Sequence, residues 1–89
     1  MTTDLFSSAA DSPIAPAERC FAVTPSDVSD LPLATKALYV GTGGDVTLLS
    51  VNGSEDVTFR NLPDAAIIDV RVRAVRATGT TAADIVALA

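Results

Sequence analysis

The sequence predicts an all-β fold, a small antiparallel β-sandwich or barrel with an extended N-terminal arm, on three observations. From Thr35 onward, runs rich in Val, Ile and Thr are separated by turn residues every eight to twelve positions. Asn52-Gly53 is the strongest short hairpin signal in the chain, because both residues tolerate the positive φ of a type I′ turn. Ile68 to Ala74 alternates strictly, with Ile68, Val70, Val72 and Ala74 on one face and Asp69, Arg71 and Arg73 on the other. Read at the helical period those four apolar residues scatter around the axis, and their β-branched content also disfavours a helix.

The elements follow in order. Before Thr35, Pro13, Pro16, Pro25 and Pro32 each remove a backbone donor and bias the preceding residue toward extended geometry, so long helices are disfavoured. Cys20 to Thr24 is one short extended piece able to pair with a sheet, and Ser26 to Asp30 is able to form a single helical turn after Pro25 but nothing longer. Lys36 to Val40 makes the next run, and Gly41-Thr42-Gly43-Gly44 supplies positive-φ positions for a hairpin reversal into Asp45 to Val51. Val57 to Leu62 returns, with Val57 and Phe59 facing one way and Thr58 and Arg60 the other, and Pro63-Asp64 turns the chain again. Ile68 to Ala74 is expected as one strand. Thr78 to Thr81 breaks the pattern, and Asp84 to Leu88 reads as a closing strand, since the eight residues after Thr81 are too few for a stable helix.

The 89 residues, 48% of them apolar, suit one small domain. Charge and proline divide it near Thr35: residues 1–35 hold five acids, one base and four of the five prolines, whereas residues 36–89 hold six acids and five bases. The division predicts an arm over residues 1–19 and a single β domain over residues 20–89. A domain of this size buries only about 60 to 65% of the surface its unfolded chain exposes, so outside help is expected. One cysteine closes no internal disulfide, and the lack of histidine removes Cys/His zinc sites, which leaves self-association or a protein partner.

The net charge of −5 argues against nucleic-acid binding by phosphate neutralisation. No charge-free run exceeds the nine residues Val46 to Ser54, against about 20 for a membrane helix. The acid at Asp4 stands where a secretory signal would carry a base, so synthesis in the cytoplasm is expected.

Catalysis is poorly supplied: without histidine, no spacing pairs Cys20 or a serine with a recognisable base. Cys20, beside Phe21 and Val23, is expected to behave as a small buried hydrophobe. Gly41-x-Gly43-Gly44 lacks the Lys-Ser/Thr of a P-loop and opens into a strand, and the acids around Asn52 match no EF-hand spacing, so neither cofactor nor metal is expected. The concentrated basic feature is Arg71 and Arg73 on the polar face of their run, with Arg60 across the sheet from them. These three either pair with Asp69, Glu55 or Asp56, or meet the acids of a neighbouring copy, where planar bidentate pairing favours arginine.

A family resemblance rests on Val23-Thr24-Pro25-Ser26-Asp27, Ala37-Leu38-Tyr39-Val40-Gly41, Val57-Thr58-Phe59, Val70-Arg71-Val72-Arg73, Thr78-Gly79-Thr80-Thr81-Ala82 and Asp84-Ile85-Val86-Ala87-Leu88. In this order the stretches resemble the small spike base protein family of gene transfer agents and related tailed phages of alphaproteobacteria, from about Cys20 to the C-terminus. Thr78 to Ala82 is the most distinctive stretch. Ala65 stands where that pattern usually has glycine, and Asp69 where it usually has proline.

The resemblance implies a virion structural protein at capsid vertices, made in the cytoplasm of the producing bacterium. It would form the base of a head spike as a homopentamer, between the major capsid protein and a spike fibre protein, with no cofactor. The rival expectation is a carbohydrate-binding module touching the host envelope, for which the chain offers the aromatics Phe6, Phe21, Tyr39 and Phe59, the last two expected in the core.

Overall fold

A computed structural model describes residues 15–89. It is all-β, with seven strands: β1 (Cys20–Ala22), β2 (Ala37–Thr42), β3 (Gly44–Ser50), β4 (Val57–Leu62), β5 (Ala66–Ile68), β6 (Val72–Val75) and β7 (Ala83–Leu88). They form two antiparallel sheets, one ordered β1-β7-β2-β5 and the other β4-β3-β6. Leu38, Val40, Ile68, Ile85 and Ala87 of the first sheet meet Val46, Leu48, Val72 and Val75 of the second in one buried cluster, so the architecture is a sandwich. The closing segment is a strand, as its sequence predicts, and it lies inside the first sheet between β1 and β2. The predicted arm falls largely on residues 1–14, outside the described residues. Pairing along β7 already begins at Glu18 and Arg19, whose N–H groups both donate to the Ala89 carbonyl at 2.8 Å.

Four expectations are corrected. The run Ile68 to Ala74 is two strands: Ile68 pairs with Leu38 in one sheet and Val72 with Ser50 in the other, and Asp69 to Arg71 turn the corner between them. Alternation survives the corner because the core lies between the sheets, so Ile68 and Val72 both point into it. Gly41 to Gly44 is no hairpin either, since β2 and β3 belong to different sheets and Gly43 is the link between them. A Cβ on Gly43 would collide with the Leu62 carbonyl.

The β3–β4 hairpin forms, but not through a type I′ turn at Asn52-Gly53. Gly53 N–H donates to the Ser50 carbonyl at 3.0 Å, so Val51 and Asn52 are the central residues, and neither has a positive φ. The reason is that β3 leaves β4 at Leu48 yet stays paired with β6 as far as Ser50, which widens the connection. Finally, Ser26 to Asp30 is not helical. The Ser26 hydroxyl accepts the N–H groups of Val28 and Ser29 at 3.3 and 3.2 Å, and this side-chain turn replaces the helical one.

The irregular stretch from Val23 to Thr35 acts as a strap along the outer edge of β6. Ser26 N–H donates to Val75, Leu31 N–H to Arg73 and Thr35 N–H to Val72, each through the backbone carbonyl. Buried Thr35 completes the seal, its hydroxyl accepting Val72 N–H at 3.0 Å and donating to the Val70 carbonyl at 3.3 Å. This strap covers an edge that would otherwise present unpaired backbone groups.

Candidate functional site

Arg60 and Arg73 owe their positions to irregularities on opposite sides of β3. Between Gly44–Leu62 and Val46–Phe59 the register shifts, placing Arg60 and Asn61 against the single residue Asp45. Asn61 adopts φ 58°, which asparagine tolerates, and its N–H donates to the Asp45 carboxylate at 3.0 Å. The same carboxylate pairs with the Arg60 guanidinium at 3.5 Å. A second shift, between Leu49–Ala74 and Ser50–Val72, leaves Arg73 without a register partner. An extra residue of this kind bends the strand and re-aims its side chain.

The three arginines singled out by sequence are therefore not one cluster. Arg71 lies in the corner before β6 and Arg73 within it, while Arg60 sits on β4, beyond β3. Their separation is roughly 15 Å along β3 and about 10 Å across it. Of the acids expected as partners, Asp56 takes Arg76 instead, at 3.2 Å, a residue that sequence reasoning passed over because it lies past the alternating run. Arg71 and Arg73 are exposed and form no ion pair or hydrogen bond with any described side chain.

Thr78 to Ala82 does more than interrupt the strands. Where β6 stops pairing, the hydroxyls of Thr80 and Thr81 accept the N–H groups of Thr47 and Asp45 at 3.0 and 2.9 Å, so side chains continue the ladder. Gly79, at φ 90°, folds against the Thr47 hydroxyl, where a Cβ would collide. Thr78 donates its N–H and hydroxyl to the Asp27 carboxylate at 2.9 and 2.7 Å, clamping the strap to this loop. Those bonds hold the Asp27 carboxyl below its ordinary value of 3.8.

The outer face of the four-stranded sheet is apolar. Ala22 is opposite Val86, Val86 opposite Tyr39 and Tyr39 opposite Ile67, so one row crosses all four strands on a single face. Two expectations fail here. Tyr39 is 36% exposed rather than in the core, because its neighbours Leu38 and Val40 take the inward positions. Cys20 is exposed, since alternation in β1 gives the inward place to Phe21. Phe59 is half-buried against the core, as expected.

No group of three or more metal-ligating side chains occurs among the described residues. A groove of about 230 Å³ between β1 and the strap, lined by Phe21, Val23, Leu31 and Val75 among others, has Asp30 as its one ionisable group.

No protein-family model and no curated protein sequence matches the chain. Among solved structures, it is similar to a chain in a structure described as the capsid of a native GTA (gene transfer agent) particle computed with C5 symmetry. The two share 39% sequence identity over 98% of this chain and 100% of that one, with a TM-score of 0.84.

Proposed function

This chain belongs to the family of gene transfer agent capsid-related proteins represented by that particle chain, and from that membership we propose that it is a virion structural protein, the base of a head spike at the capsid vertices. The carrying observation is a likeness that extends over the full length of both chains with the same fold. In this reading copies of the chain form a ring of five on the major capsid protein and hold a spike fibre protein above. The C5 symmetry under which the related capsid was computed supports a five-fold ring. The N-terminal arm expected over residues 1–19 anchors the ring to the shell, and Arg71 and Arg73, lacking partners within the described chain, belong to a contact with another copy.

The role is mechanical rather than catalytic. A sandwich with a strapped edge and a hydroxyl-sealed loop is a rigid block, and a rigid block loses little conformational freedom when it is locked into an assembly. Sugar sites usually present aromatic platforms, and Tyr39 is the single exposed aromatic among the described residues.

Electron microscopy of purified particles with five-fold averaging at the vertices tests the proposal. Particles from a strain lacking this gene are expected to lose a five-fold vertex density and to regain it on complementation. Unchanged vertices, or absence of the chain from purified particles, would refute it.

A further inference from the structure

We propose that the outer face of the four-stranded sheet receives the Arg71–Arg73 side of the next copy, an inference that rests on the ring reading above and names its contact surfaces. The row Ala22–Val86–Tyr39–Ile67 is backed by a second row, in which Leu88 is opposite both Cys20 and Ala37. Ile67 is 64% exposed at the sheet's edge. Neither row holds a charged side chain, in a chain of net charge −5. Copies that repel overall can approach most closely where no charge must be desolvated.

Acids stand at both ends of this face. Glu18, exposed, precedes β1 by two residues at the Cys20–Leu88 end of the sheet, with its N–H on the Ala89 carbonyl. At the other end, a Cβ on Gly41 would stand 2.8 Å from Asp84 Cβ and 3.6 Å from the Tyr39 ring, which puts Asp84 beside the tyrosine.

A ring of odd order cannot use a self-complementary patch, so each copy must carry a second and different one. The strap supplies it. Val28, 91% exposed, projects from the turn held by Ser26 and the Asp27–Thr78 clamp, and Leu33 is also exposed. The bond from Leu31 N–H to the Arg73 carbonyl sets the backbone of this strap beside β6, the strand that carries exposed Arg73 and follows exposed Arg71. One patch is apolar with Asp84 at one end and Glu18, next to Arg19 and Lys36, at the other, and the second is apolar with two arginines beside it. The two match in both hydrophobicity and sign, the kind of complementarity that fixes orientation between partners.

The test uses the full-length chain and measures mass by light scattering across a concentration series. Ile67→Asp and, separately, Arg71→Glu with Arg73→Glu are each expected to weaken self-association at least tenfold. A copy carrying Glu18→Lys with Asp84→Asn, in which asparagine keeps the left-handed backbone, is expected to associate with the Arg71→Glu, Arg73→Glu copy on mixing. Circular dichroism checks each fold, and either folded variant alone decides the matter. Wild-type mass retained in the folded variants overturns this assignment and leaves the ring standing. A wild-type chain that stays monomeric at hundreds of micromolar overturns the ring and this contact together.

Discussion

Asp27 sits at the surface, yet both of its carboxylate oxygens accept hydrogen bonds from Thr78. Because those bonds favour the ionised form, the folded-state value is depressed, chiefly by the Thr78 N–H and then by its hydroxyl. The stability gained is present above the ordinary value of 3.8 and is lost as pH falls through the lower folded value. Urea midpoints of wild type and Asp27→Asn are therefore expected to stand apart, wild type the more stable, above 3.8 and to converge as pH falls through the lower folded value. Equal separation at all pH values would remove the carboxylate from the clamp. Ala65 offers the opposite case. It adopts φ 61°, a conformation costly for any residue with a Cβ. The left-handed penalty of about 1–2 kcal/mol exceeds the extra backbone entropy of glycine, about 0.5–1 kcal/mol. Ala65→Gly is expected to raise the urea midpoint, by roughly 0.5–1 kcal/mol in stability. A lowered midpoint would mean that the turn after Pro63 is not strained.

At the level of elements, connections carry as much of the specification as strands do. Four of the six links between successive strands cross from one sheet to the other, and only β3 and β4 form a local hairpin. The crossing at Gly43 passes so close to Leu62 and Pro63 that no side chain fits. Gly43→Ala is expected to cost about 1–3 kcal/mol by forcing the two crossings apart, read as a lower midpoint in urea at unchanged slope. A wild-type midpoint would show that the link has room to move. The strap from Val23 to Thr35 is the other such device. Its Thr35 hydroxyl satisfies two buried backbone groups at once, a task no apolar side chain of the same shape could perform. The Thr-rich loop before β7 works likewise, with hydroxyls standing in for backbone where the ladder with β3 stops.

At the scale of the whole molecule, the strap protects one sheet edge while β1, β4 and β5 remain edges among the described residues, with Val57 54% exposed on β4. Open edges and an apolar outer face suit a chain that works in an assembly. The division of labour proposed here places shell attachment before the sandwich. Because Glu18 and Arg19 already bond to Ala89, the deletion that isolates this role stops at residue 14. Removing residues 1–14 is expected to leave the β circular dichroism spectrum unchanged and to abolish co-sedimentation with capsid shells, and a truncated chain that still co-sediments would move the anchor elsewhere.

The amino-acid sequence by itself determined the class of structure and the positions of most strands, because period-two alternation and β-branched runs depend on local sterics and on which residues avoid water. It also marked Arg71 and Arg73, whose charges cannot be buried unpaired. Only the tertiary structure decided that Ile68 to Ala74 bends between sheets, since alternation is the same for a straight strand and for a corner around a shared core. It likewise decided that Arg60 stands apart from Arg71 and Arg73, and that Tyr39 and Cys20 face outward. Each of these depends on which strands are neighbours, a matter of long-range pairing that no window of adjacent residues contains.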